Sequence, residues 1–101
     1  FKSLTMKEAQ AVAEKEKKMI FIDFYTTWCG PCKMMGPVVE EISGELDDVK
    51  VCKINIDEQM SIAQKYGVMS IPTFIVFKNG DVADKKMGAM PKSAVLSMLG
   101  Q

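Results

Sequence analysis

Apolar residues in this chain fall into two kinds of run that alternate along it. Met19-Ile20-Phe21-Ile22-Asp23-Phe24-Tyr25 is apolar almost without a break, which predicts a strand buried on both faces of a sheet. Val49 to Ile56 and Thr73 to Phe77 have the same character, the former interrupted by Lys53. Between them the period changes. From Cys32 to about Leu46, the residues Met35, Val38, Val39, Ile42 and Leu46 recur three and four apart, which predicts a helix with one apolar stripe. Pro37 lies inside it and should bend it. Thr5 followed by Glu8 fits a capping box opening a helix through about Lys18, with Ala9, Val12 and Ala13 inward. Phe1 to Leu4 reads as a short edge strand. A short helix is predicted over 59–66, with Gly67 just past its end. Asn79-Gly80 between Phe77-Lys78 and Asp81-Val82 is a two-residue hairpin signal, the second strand running to about Met87. Pro91 opens a last helix with Val95, Leu96 and Leu99 inward. The order predicts an α/β protein with a mixed central sheet flanked by helices on both faces.

Composition narrows the function classes. A chain of 101 residues fits one domain over 1–101, without repeats or linkers. It is 48% hydrophobic and 26% charged, the balance of a soluble globular protein. Thirteen basic and thirteen acidic residues cancel, so no nucleic-acid surface is implied. No apolar run is long enough for a membrane span. Glu14-Lys15-Glu16-Lys17-Lys18 reads as a solvated helix end. Nine methionines suit an adaptable core and show no metal-ligand spacing. Three cysteines are too few for a disulfide-built secreted scaffold. No signal peptide opens the residues given, although the chain begins at Phe1; a cytoplasmic monomer is the expectation. Met98-Leu99-Gly100-Gln101 closes the chain early, so the last helix is expected to be short.

The chemistry centres on Cys29-Gly30-Pro31-Cys32, where a strand gives way to a helix. Two cysteines at this spacing can close a small disulfide ring or bind a metal together. A helix N-terminus leaves backbone N–H groups without partners and carries partial positive charge, so a thiolate placed there is stabilised. Cys29 lies just before the helix, Pro31 is tolerated at its start, and Cys32 lies in the first turn and should be more enclosed. The inference is that Cys29 attacks and Cys32 resolves. The metal alternative is weak: with Cys52 the chain offers three thiolates and no histidine, short of the four ligands of structural zinc. Iron–sulfur binding between two chains is equally weak, and no metal ligands are assigned.

Asp23 interrupts a buried strand, and a buried carboxyl without a full partner exchanges its proton near neutral pH. Lys53 is oddly placed within its own strand, where it can carry its charge to the edge along its aliphatic stem. Cys52 should point to the opposite face from Lys53, as a buried and inert thiol or, alternatively, a regulatory one. Pro72 is tolerated at a strand start.

With Asp23 ahead of Trp28-Cys29-Gly30-Pro31-Cys32 and Ile71-Pro72-Thr73 after it, the chain resembles the thioredoxin family along essentially its whole length. The resemblance implies the thioredoxin fold and an oxidoreductase that reduces protein disulfides through Cys29 and Cys32. It places Asp23 beneath the cysteines, helping to deprotonate Cys32, with Lys53 nearby to tune it. It makes Trp28, Gly30, Pro31, Ile71, Pro72 and Gly88 the docking surface, with Pro72 cis and the backbone beside it receiving the substrate as an added strand. It implies no bound cofactor: electrons come from a separate reductase, thioredoxin reductase. Gly-Pro between the cysteines carries no cation and the chain has no histidine, which favours a reductant over an isomerase or oxidant. A non-catalytic interaction domain on the same fold is the remaining class. Against it stand Cys29, Cys32, Asp23 and Pro72, all present. Tyr25 stands where many members have a second Trp, and Met69 where a charged residue is common.

Overall fold

The computed structural model describes Lys7 and residues 19–101. The edge strand expected at 1–4 and the helix expected over 5–18 lie outside the described residues, except for Lys7, which is helical and exposed. The elements that follow are β1 (Met19–Tyr25), α1 (Gly30–Glu45), β2 (Val49–Asn55), α2 (Met60–Lys65), β3 (Thr73–Lys78), β4 (Asp81–Met87) and α3 (Lys92–Met98). The sheet order is β2-β1-β3-β4. β1 runs parallel to β2 and antiparallel to β3, and β3 runs antiparallel to β4. The sheet is mixed, as the alternating pattern requires.

Burial on both faces explains the unbroken apolar runs. On one face, Phe21, Val49, Val51, Phe74 and Val76 pack with Met35, Val39 and Ile42 of α1 and with Val95, Met98 and Leu99 at α3. Phe21 and Phe74 stack there with ring centroids 5.5 Å apart. On the other face, Ile20, Ile22, Phe24, Cys52, Ile54, Ile75 and Phe77 pack with Ile62 of α2 and Tyr66 just beyond it. Helices therefore cover both faces. Cys52 faces away from Lys53, as strand alternation demands.

The turns follow their residue types. Asn79 and Gly80 both have positive φ, 55° and 86°, which a two-residue turn matched to the strand twist requires. Gly67, at φ 66°, ends α2. Its N–H donates to the Gln64 carbonyl at 3.2 Å and the Val68 N–H to that of Ala63 at 2.9 Å, satisfying two carbonyls the helix leaves over. The Lys85 ammonium donates to the Tyr66 and Gly67 carbonyls and completes the cap. Helix α1 starts two residues earlier than its apolar spacing indicates, because Pro31 sits at its first turn without losing a bond. At the last helix, Pro91 is the cap itself, extended at φ −68° and ψ 157°, and Met98 joins Val95 and Leu99 in the core while Leu96 is only partly buried.

Candidate functional site

The topology brings one end of every strand together. The C-termini of β1 and β2 share that end with the N-terminus of β3 and the C-terminus of β4, since Thr73 pairs with both Phe24 and Met87. The segments leaving it carry Trp28 and the cysteines, Asp57, Ser70 to Pro72, and Gly88 to Met90.

Cys29 and Cys32 form a disulfide, with Cα atoms 5.2 Å apart. Cys29 is the N-cap of α1 in extended conformation, and its Sγ accepts the Cys32 backbone N–H at 3.1 Å. That donor is one of those a helix start leaves unpaired, and it is aimed at the sulfur where negative charge would form on reduction. Cys32 is expected from its position in the helix to be the more enclosed; instead the two are equally buried, each 5% exposed. Bonded together, each sulfur covers part of the other. The asymmetry lies in the hydrogen bond rather than in exposure.

Asp23 lies two residues along β1 from Phe21 toward the disulfide, on the same strand face. Cys32 lies one turn of α1 from Met35 toward the same end, so both enter the layer between helix and sheet. Asp23 is fully buried, and neither carboxyl oxygen has a hydrogen-bond partner. Burial pushes its pKa up to about 7, with the Lys53 charge opposing. Lys53 pairs with Asp23 in the parallel register and shares its strand face. Its Nζ lies 4.4 Å from the centroid of the Tyr25 ring, so the ammonium neither points straight to solvent nor stands against the carboxylate alone.

Trp28 is 69% exposed, and its Nε1 donates to Asp57 Oδ2 at 2.9 Å. Asp57 is held in turn by its own N–H donating to Asn55 Oδ1. Gly30 and Pro31 are exposed beside the disulfide. The Ile71–Pro72 peptide is cis, Pro72 is buried, and its carbonyl accepts the Gly88 N–H at 2.8 Å. Thr73 Oγ1 donates to the Ser70 carbonyl and closes the loop before β3. The Met90 N–H contacts Met35 Sδ at 3.4 Å, tying the segment after β4 to α1. All ten expected site residues thus lie at one end of the sheet or directly beneath it.

Over residues 1–101 the chain matches the sequence profile of the Thioredoxin family. The chain belongs to the thioredoxin family. It is 44% identical over 90 residues to the thioredoxin of Bacillus subtilis, covering 88% of this chain and 86% of that one. Against the thioredoxin of Staphylococcus epidermidis it is 48% identical over 85 residues, 83% of this chain and 82% of that one. The Rickettsia felis thioredoxin is 47% identical over 83 residues, 81% and 79% of the two chains. Family and disulfide together make the protein a thiol–disulfide oxidoreductase working through Cys29 and Cys32. Thioredoxins use this cysteine pair and no prosthetic group.

Among the described residues, no three His, Cys, Asp or Glu side chains are grouped to hold a metal. Cys52 lies fully buried in the core of the opposite sheet face and does not join the pair. No helix described is long and apolar enough to cross a membrane. Two features of the site escape a reading of the residues alone. Asp57 is 29 positions from Trp28, and only a two-residue turn after β2 hints that it is fixed. Thr26, fully buried after β1, keeps a hydroxyl without a partner, which nothing in its local sequence signals.

Proposed function

We propose that this thioredoxin-family chain reduces protein disulfides with the following division of roles. Cys29 thiolate attacks one sulfur of the substrate disulfide, forming a mixed disulfide and expelling the other substrate sulfur as a thiolate, which takes a proton. Asp23 carboxylate accepts the Cys32 thiol proton, and the Cys32 thiolate attacks Cys29 Sγ. The Cys29–substrate bond breaks, the second substrate thiolate leaves, and Cys29–Cys32 is closed. Two electrons pass to the substrate. A separate dithiol reductase, of the thioredoxin reductase kind, returns two electrons to the pair.

The observation that carries the assignment is the Cys32 N–H directed at Cys29 Sγ, which stabilises a thiolate on Cys29 and not on Cys32. The buried Asp23, with its pKa raised to about 7, supports its role as the proton acceptor for the Cys32 thiol. Lys53 limits how far that pKa rises. Trp28, Gly30, Pro31, Ile71, Pro72 and Gly88 bind the substrate chain around the disulfide. Residues 1–101 act as one domain, a cytoplasmic monomer that binds neither nucleic acid nor membrane. The test is trapping. Cys32→Ser should accumulate mixed disulfides with substrate proteins and Cys29→Ser should not; the reverse pattern would exchange the two roles.

A further inference from the structure

Exposed apolar side chains on this protein are not scattered. Of the six large ones among the described residues, Trp28, Met34, Met60, Met69 and Met87 lie at the disulfide end of the sheet, and only Val82 lies at the other. Four of the five are methionines. Met34 is in the first turns of α1, next to Pro31, and Met60 is the first residue of α2, just past Asp57. Met69, 91% exposed, precedes the loop to Pro72. Met87, 58% exposed, ends β4 beside Gly88, and its Sδ receives the Ser70 hydroxyl at 3.2 Å. That contact and the Gly88–Pro72 hydrogen bond join the 69–72 loop and the end of β4 into one rim, at the same end of the sheet as the disulfide.

We propose that Met69 and Met87 are specificity-determining residues, making this rim a thioether surface that selects extended protein segments whose disulfide is flanked by large aliphatic or aromatic side chains. The inference rests on the docking surface assigned above and adds the chemistry of what it accepts. Unbranched, polarisable thioethers adjust to apolar and ring surfaces of varied shape. A charged flank laid against them loses hydration and gains no counter-charge. Charges near this end, Lys33, Lys86, Asp57 and Glu58, are of mixed sign, and the Asp57 carboxylate is engaged by Trp28. Selection therefore falls on apolar area rather than on charge.

The experiment compares kcat/KM for two peptides with the same intrachain disulfide, one flanked by Leu and Phe, the other by Glu and Ser. The native protein should favour the first by about five- to tenfold, the scale of one to two buried methylenes over both flanks together. In the Met69→Glu/Met87→Glu double variant the ratio should fall toward one. Met69→Leu should keep the preference, and so should Val82→Glu, an equally drastic change at the far end of the sheet. A native ratio near one, or a ratio that the double substitution leaves intact, overturns the proposal. So does a concentration-dependent dimer of the native protein that the double substitution abolishes, since a second copy would then be the occupant. Failure of the native protein to reduce a small aromatic disulfide would instead strike the oxidoreductase reading beneath it.

Discussion

Replacing Asp23 by Asn should make the oxidised protein more stable, and increasingly so as pH rises. The folded protein buries the carboxyl completely with no hydrogen-bond partner, whereas the unfolded chain exposes it to water. Its pKa is accordingly about 7 when folded against an ordinary 3.8. Between those two values the folded state holds a proton that the unfolded state has released, so stability falls as pH rises across the window. Below it, both states are protonated and the carboxyl costs nothing through ionisation. Above it, the whole difference counts against folding. From 3.8 to about 7, at 1.36 kcal/mol per pH unit, the destabilisation approaches about 4 kcal/mol. Asn has nearly the same shape and does not ionise. Denaturant unfolding of the oxidised native and Asp23→Asn proteins, taken from about pH 4 to about pH 8, should give stability curves that diverge with increasing pH, by most of that amount. Parallel curves would refute the reasoning, because they would mean that the carboxyl has the same pKa folded and unfolded.

Lys53→Met should raise the Asp23 pKa above about 7, since the Lys53 charge is what opposes burial, and the pH dependence of stability should move to higher pH. A move to lower pH would contradict that assignment. Phe74→Ala deletes a fully buried ring stacked on Phe21 and should cost about 3–5 kcal/mol by denaturant unfolding; a cost under about 1 kcal/mol would mean the core closes over the gap. Gly67→Ala should cost about 1–2 kcal/mol by the same assay, because the residue is held at φ 66° and a Cβ there would meet Lys85 Nζ at 3.3 Å; no loss would mean that the cap rearranges freely.

What can be read from the residues and what cannot divides along physical lines. The two central strands and the hairpin are legible because burial on both faces needs continuous apolar sequence and because Asn79-Gly80 suits a turn with two positive φ values. The cysteine pair at a helix start is legible from Pro31 and the change of period. Asp23 stands out because a carboxylate in the middle of such a strand has no water to meet. Partners far apart in sequence are not legible. The Trp28–Asp57 hydrogen bond exists because β1 and β2 end side by side, and no local pattern encodes that. The Lys53 ammonium over the Tyr25 ring depends on the parallel register, which aligns Tyr25 with Asn55 and Asp23 with Lys53. The equal burial of the two cysteines follows from the bond between them, whereas helix position alone suggests unequal exposure. Gathering Met69 and Met87 on one rim likewise takes the β3–β4 pairing.

Whether Cys29 and Cys32 form a reducing dithiol is decided by their equilibrium against a glutathione redox buffer. With no cation between the cysteines and no histidine in the chain, the disulfide should persist until the buffer is clearly more reducing than glutathione's cellular poise. A pair already reduced at the poise of the endoplasmic reticulum would instead mark the protein as an oxidant or isomerase.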